Sequence, residues 1–279
     1  MIWHSNSMHM PPDMARALTA ANAEADAFEQ VMTLSGVVFR DAPARRTLRF
    51  ELLGKSYFAK LHSGVGWGEI FKNLLTLRLP ILSAMAEVHA IRKLNELGIP
   101  TTPLVAYGCR GISPASLQSF VITEDLGDII SLETLCADWK KNPPDARLKR
   151  RLIVAVAKIA RVFHGNGLNH RDFYICHFCL DKQRLISDEI CLYLIDLHRV
   201  GIRNKIRPDA GMKDMAALYF STLDAGLSKR DYLRFLWAYR QRPLHEVLSS
   251  EHNFWDKVEK RAIQLYLKYH GNLSLINRV

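Results

Sequence analysis

Asn169-His170-Arg171-Asp172 is followed 24 residues later by Ile195-Asp196-Leu197-His198, and these two segments constrain the fold more than any other feature of the chain. Asp172 follows Gly165-Asn166-Gly167, which stops a strongly amphipathic helical run, and so falls at the start of a loop. Asp196 directly follows Leu192-Tyr193-Leu194-Ile195, a strand of the buried type. Taken singly, each Asp reads as a turn or cap carboxylate. Taken together, at the ends of two different elements, they match the two acidic loops of phosphoryl transfer. One such carboxylate faces the acceptor hydroxyl and the other holds the metal on ATP.

The segments upstream supply the remaining parts in the right order. Val37-Val38-Phe39, Thr47 to Leu52 and Tyr57 to Leu61 are short β-rich runs separated by turn residues, which predicts an antiparallel meander. Lys60 ends the last of them. A helix is expected over about 81–97, with Leu82, Met85, Ala86, His89, Leu94 and Leu97 near one face and Gly98 and Pro100 as its stop. Glu87 lies inside that helix, where it can pair with Lys60 and hold it toward phosphates; Glu96, near the helix end, fits that role less well. Phe120 to Thr123 reads as a further strand. Leu148, Leu152, Ile153, Val156, Ile159, Ala160 and Phe163 recur at helical spacing after Pro143-Pro144-Asp145. From about 212 onward the chain reads as helices, including 229–241 and 254–269. The expected class is therefore α+β, protein-kinase-like and two-lobed. An N-terminal extension (1–25, frayed or loosely helical) precedes a small antiparallel-sheet N-lobe (26–126) and a larger, mainly helical C-lobe (127–279), with a nucleotide cleft between the lobes.

Charge and cysteine content narrow the setting. The 279 residues carry a formal net charge of +10, which favours anionic partners without choosing among nucleic acid, lipid headgroups and phosphorylated sugars. No nucleic-acid motif is present. The longest apolar run, Leu152 to Ala160, contains Lys158 and is too short to span a membrane. With no basic-then-apolar N-terminal pattern, the expectation is a cytoplasmic protein with at most peripheral membrane contact. Five cysteines, an odd number, suit reduced thiols. Cys176 and Cys179 form a Cys-x-x-Cys near His164 and His170, but no second pair stands at zinc-binding spacing.

Longer strings make the reading specific. Arg45 to Phe50, Gly66 to Leu75, Thr123-Glu124-Asp125-Leu126, Asn169 to Phe178, Ile195 to Arg199 and Lys213 to Ser221 resemble the lipopolysaccharide core heptose(I) kinases, a protein-kinase-like family, over roughly residues 26–245. The resemblance implies an ATP-dependent kinase that uses Mg2+ and phosphorylates the first inner-core heptose. By position, Asp172 becomes the catalytic Asp, Lys60 the ATP lysine and Asp196 the metal-binding Asp. Glu124 lies in the segment contacting adenine, and Asp214 braces the catalytic loop. A protein kinase, or another small-molecule kinase of the same fold, is the alternative, although no Ala-Pro-Glu follows Asp196.

Two departures from the wider kinase pattern stand out. His177 replaces the metal-binding Asn expected five residues after the catalytic Asp. Either it contacts metal or phosphate, or a single metal suffices. Asp41 to Arg46 stands where a glycine-rich phosphate loop is expected, so Arg45 or Arg46 would supply charge in place of backbone amides. Gly64, Gly66 and Gly68 come after the lysine strand and suggest a flap near the acceptor. The implied acceptor is an acidic glycolipid of the inner leaflet. Lys72, Arg78, Arg92, Lys93, Lys140, Lys141, Lys149, Arg150, Arg151, Arg203, Lys205 and Arg207 would serve that ligand, or the anionic inner face of the inner membrane. The same surface would suit acyl carrier protein, a partner implied by the resemblance alone.

Overall fold

The computed structural model describes residues 6–20, 26–42, 44–64, 83–111, 113 and 116–271. The Gly66 to Leu75 string, the expected flap beyond Gly64, Lys72, Arg78 and the first two residues of the helix expected over 81–97 lie outside the described residues; Ser83 and Ala84 precede the helix, which starts at Met85. The chain divides into two compact units, Met1–Lys93 with Thr102–Leu126, and Leu94–Thr101 with Gly127–Val279.

The first unit is built on a six-stranded antiparallel sheet. Its strands are β1 (Asn6–His9), β2 (Val37–Ala42), β3 (Arg45–Leu52), β4 (Lys55–His62), β5 (Leu104–Arg110) and β6 (Gln118–Glu124). Their spatial order is β1-β5-β6-β4-β3-β2. The expected meander is β2-β3-β4. Strand β1 and the helix α1 (Pro12–Thr19) occupy the segment expected to be frayed or loosely helical, so α1 agrees with that reading and β1 does not. The polar run Asn6-Ser7-Met8-His9 has no strand signal of its own and becomes a strand by pairing with β5. Met14 and Leu18 of α1, with Phe28 and Val31 of α2 (Ala27–Met32), pack on Leu48, Phe50, Tyr57, Ala59, Leu61, Phe120 and Ile122. These strand residues alternate, so they share one face of the sheet. Gly108 permits this packing, since a Cβ there would lie 2.5 Å from the Phe120 ring.

The opposite face carries Val121, packed with Ala84 and with Val88 of α3 (Met85–Glu96). Here the expected helix face needs correction. His89 is exposed and Met85 and Ala86 only partly buried, while Ala84, Glu87, Val88, Ile91 and Leu94 are buried. Hydrophobic spacing thus placed Leu94 correctly and misassigned His89, because the buried stripe contains a carboxylate.

The second unit holds a long helix α5 (Ala146–Gly165), preceded by β7 (Ile129–Ser131) and the short α4 (Leu132–Cys136). Asp145 caps α5 by accepting from the Leu148 N–H at 2.8 Å. Its buried stripe runs Leu152, Ile153, Val156, Ala157, Ala160, Phe163 and His164. Phe163 is fully buried and stacks on Phe173 at 5.8 Å between ring centroids. Truncation of such a ring to Ala costs about 3–5 kcal/mol. Two small antiparallel pieces follow: β8 (Leu168–Asn169) with β11 (Gly201–Ile202), and β9 (Phe178–Asp181) between β7 and β10 (Leu192–Leu194). A short α6 (Lys182–Ile186) lies between β9 and β10. Helices α7 (Pro208–Thr222), α8 (Lys229–Arg240), α9 (Leu244–Ser250) and α10 (His252–His270) complete it. None of the described helices is long and apolar enough to cross a membrane.

Candidate active site

In the first unit the sheet register decides which side chains share a surface. Lys60 pairs with Thr47 on one side and Val121 on the other, so it stands on the face that carries α3. There its Nζ lies 2.5 Å from Glu87 Oε1. The Glu87 side chain is 4% exposed and that of Lys60 19%, so this is a buried, fixed pair. Arg45 pairs across with His62 and therefore lies on the Lys60 face. Arg46, one residue on, lies on the opposite face, where its Nη1 donates to the Leu34 carbonyl at 3.4 Å. The structure thus separates the two arginines that the sequence left equivalent. Glu124 closes β6. Its N–H donates to the Pro103 carbonyl at 3.0 Å, and its carboxylate sits 4.0 Å from Lys55 Nζ.

In the second unit the loop after β8 is held from below by Asp214 of α7. Asp214 is buried and accepts from the His170 N–H at 2.6 Å and the Arg171 N–H at 2.9 Å. It also accepts from His164 Nε2 at 3.3 Å, while His164 Nδ1 meets the Tyr239 hydroxyl at 2.8 Å. Burial pushes the Tyr239 hydroxyl up to about 12, which keeps it a proton donor. These bonds fasten Arg171 in the left-handed region at φ 73°, a conformation costly for a residue with a Cβ. The kink presents Asp172 at the surface of the unit.

His170 is fully buried, and its Nε2–H donates to the Ile195 carbonyl at 3.0 Å, tying the Asp172 loop to the strand leading into Asp196. Burial, then the neighbouring His177, drops its pKa to about 4, so the ring is neutral near pH 7. Asp196 is also left-handed, at φ 60°. One of its oxygens accepts from His198 Nδ1 at 2.6 Å, and the other lies 3.7 Å from His177 Nε2. His177 Nδ1 donates to the Asp172 carbonyl at 2.6 Å, which turns Nε2 toward Asp196. A carboxylate and an imidazole nitrogen thus face each other. Among the described residues no group of three or more His, Cys, Asp or Glu is placed to hold a metal. Burial pushes both thiols of the Cys-x-x-Cys, Cys176 and Cys179, up to about 11.

One partner of Asp172 was not anticipated. Arg199 Nη1 lies 2.8 Å from both Asp172 carboxylate oxygens. The residue stood in plain view three positions after Asp196, but only the fold shows that the chain turns it back onto Asp172.

This combination of an antiparallel sheet bearing a lysine–glutamate pair with a helical unit bearing two acidic loops is the construction of a kinase. The comparisons agree. Residues 29–239 match the model of the lipopolysaccharide kinase (Kdo/WaaP) family. The chain is 49% identical over 242 residues to the lipopolysaccharide core heptose(I) kinase WaaP of Pseudomonas aeruginosa, covering 86% of this chain and 90% of that one. It is 48% identical over 238 residues to the protein of the same name from Escherichia coli K12, covering 85% and 90%. A solved structure of WaaP in complex with acyl carrier protein superposes with a TM-score of 0.79 at 41% identity, covering 93% of this chain and 99% of that one. The chain belongs to the lipopolysaccharide kinase (Kdo/WaaP) family; it is an enzyme, and as a kinase it uses ATP.

Proposed function

We propose that this kinase transfers the γ-phosphoryl group of ATP to a hydroxyl of the first inner-core heptose of lipopolysaccharide. The observation that carries this reading is the Asp172 loop, fastened to buried Asp214 and presenting a carboxylate to an acceptor, in a chain nearly half identical to proteins named for that reaction. Asp172 orients the sugar hydroxyl and accepts its proton as the bond to phosphorus forms. Lys60, fixed by Glu87, neutralises charge on the phosphates, and Arg45 on the same sheet face assists. Glu124 marks the chain segment that meets adenine. Arg46 is assigned no phosphate contact, because it stands on the other face of the sheet.

The Asp196 carboxylate suits Mg2+, which is bound through one or two carboxylates and completes its shell with water and substrate phosphates. Asp196 would hold it, with His177 Nε2 beside it. When bound, the ion supplies positive charge at the phosphate oxygens. The decisive assay is phosphate transfer to heptose-containing, unphosphorylated core lipopolysaccharide. Transfer by the wild type and a loss of about 10²- to 10⁴-fold in Asp172→Ala are expected. Absence of transfer by the wild type, despite ATP binding, would refute the heptose assignment.

We further propose acyl carrier protein as a partner and the anionic inner face of the inner membrane as a place of work. The second unit contains a half-open hollow of about 280 Å³ lined by Leu132, Trp139, Leu152, Val156, Met215 and Leu218 among others. A cavity so lined takes an acyl chain, the cargo of such a carrier, more readily than it takes water. Co-purification of acylated carrier, lost in Val156→Trp, is the expected result.

A further inference from the structure

A second hollow, of about 320 Å³, opens beside the Asp172 loop within the second unit and is lined by Asn169, Arg171, Tyr174 and Arg199 from the acidic loops. Arg203, Arg207, Lys213 and Arg261 also line it, making six cations in one concavity. Three carboxylates are at hand. Both oxygens of Asp214 are committed to the His170 and Arg171 N–H groups. Asp209 lies 3.3 Å from Arg207 and 3.7 Å from Lys213, and Asp172 is engaged by Arg199. Six cations against three carboxylates leave an excess of +3. Among the described residues, Arg171, Arg203 and Arg261 have no carboxylate within 4.0 Å.

The concavity is built rather than incidental. Gly167 has φ +80°, and a Cβ there would lie 1.9 Å from the Arg203 carbonyl oxygen. The Arg203 N–H donates to the Gly167 carbonyl at 3.1 Å, and its Nη1 donates to Asn169 Oδ1 at 3.0 Å. Only a glycine lets the chain pass close enough to place this arginine against the catalytic loop. Like charges held together oppose one another. Burial first, then Arg199 and Arg203, lower the proton affinity of Arg171. A bound anion relieves that repulsion, and guanidinium forks match carboxylate and phosphate oxygens in pairs. Neither Asp196 nor His177 lines the hollow, so it is distinct from the expected metal site.

We propose that this hollow is a subsite for an acidic saccharide of the acceptor, one whose carboxylate or phosphate is held by Arg203, Arg207, Lys213 and Arg261 while its neighbouring sugar presents a hydroxyl to Asp172. The volume suits a sugar bearing the anion rather than the anion alone. The proposal rests on the heptose-kinase reading for the hydroxyl, but not for the anion.

The test uses the full chain and three soluble acceptors. These are de-acylated core oligosaccharide, the same oligosaccharide with its carboxyl groups reduced to alcohols, and the same with its phosphates removed. In the double variant Lys213→Gln/Arg261→Gln, the KM for the intact oligosaccharide is expected to rise about tenfold or more, as for loss of charge-assisted hydrogen bonds, with the KM for ATP within twofold. Arg261→Lys, which keeps the charge, should retain most of the affinity. One of the two modified acceptors should show a raised wild-type KM and no further penalty in the double variant, and its identity tells carboxylate from phosphate. An unchanged acceptor KM, an equal penalty on all three acceptors, or a raised ATP KM instead would overturn the proposal. If no acceptor is phosphorylated, the heptose reading fails by itself, and titration calorimetry with the intact oligosaccharide decides the subsite. Binding weakened in the double variant sustains it; no binding refutes it.

Discussion

Two cation–carboxylate pairs, one in each unit, look alike in outline and differ in physical character. Lys60–Glu87 lies on a sheet face under a helix, with side chains 19% and 4% exposed. Arg199–Asp172 lies on loops, at 44% and 21%. A buried pair is a fixture: removing one member strands the other charge, at a cost of several kcal/mol. A half-exposed pair contributes at most about 1 kcal/mol and exchanges partners readily. The first pair therefore serves by staying formed, holding a lysine in one place. On the proposed reading the second holds the carboxylate that meets the substrate hydroxyl, a role that a weak, adjustable contact suits.

The sharpest way to break this contrast is to cut the buried pair. Lys60→Met is expected to lower stability by about 3–5 kcal/mol, because Glu87 is left charged and buried, and to abolish transfer. Lys60→Met combined with Glu87→Met should recover most of the stability and none of the activity. Denaturant unfolding together with the phosphate-transfer assay checks both. A double variant as unstable as the single would show that the pair is not a separable unit.

How far the sequence discloses these sites follows from the same contrast. Lys60 is legible because Tyr57, Ala59 and Leu61 alternate around it, and period-two spacing fixes its face. Asp172 and Asp196 are legible because each follows a recognisable helix stop or buried strand. The α3 stripe misleads because Glu87 occupies a buried position that hydrophobic spacing assigns to an apolar residue. Strand β5 goes unread because Gly108 interrupts its pattern, although that glycine is what lets Phe28 and Phe120 meet. The basic hollow draws on residues from 169 to 261, and the sequence offers Arg203 and Arg207 among many cations for an acidic ligand without grouping them with Lys213 or Arg261. No local pattern records that Gly167 brings Arg203 against Asn169.

A second perturbation acts on the second unit through pH. His170 has its folded pKa depressed to about 4 from an ordinary value of 6.5. The unfolded chain therefore binds a proton first as pH falls. The contribution is fully present above about 6.5 and is lost between about 6.5 and about 4, amounting to roughly 3 kcal/mol across the window. Thermal unfolding from pH 7 to 4.5 should show a falling Tm, with a shallower fall in His170→Gln. An identical slope in the variant would remove His170 as the cause.

The exposed pair gives a smaller effect, read in turnover. Arg199→Gln is expected to leave stability within about 1 kcal/mol. It should lower kcat about tenfold to a hundredfold, because Asp172 loses the group that orients its carboxylate. If Arg199 orients Asp172, Arg199→Lys should recover part of kcat without changing the KM for ATP. A drop in stability as large as that of Lys60→Met would make the two pairs equivalent and end the comparison.

The smallest effect separates two adjacent residues. Arg45 and Arg46 differ by one position and hence by one face of the sheet. Arg45→Gln should raise the KM for ATP about tenfold, the scale of one charge-assisted hydrogen bond, whereas Arg46→Gln should leave it within twofold, since its guanidinium faces the Leu34 carbonyl. The measurement is a pair of ATP saturation curves at fixed acceptor. Equal shifts would mean that the charge of the strand acts over a distance, and that the face each arginine occupies is irrelevant to nucleotide binding. A shift in Arg45→Gln alone would show that the missing glycine-rich loop is compensated by one side chain, placed by strand register on the same surface as Lys60.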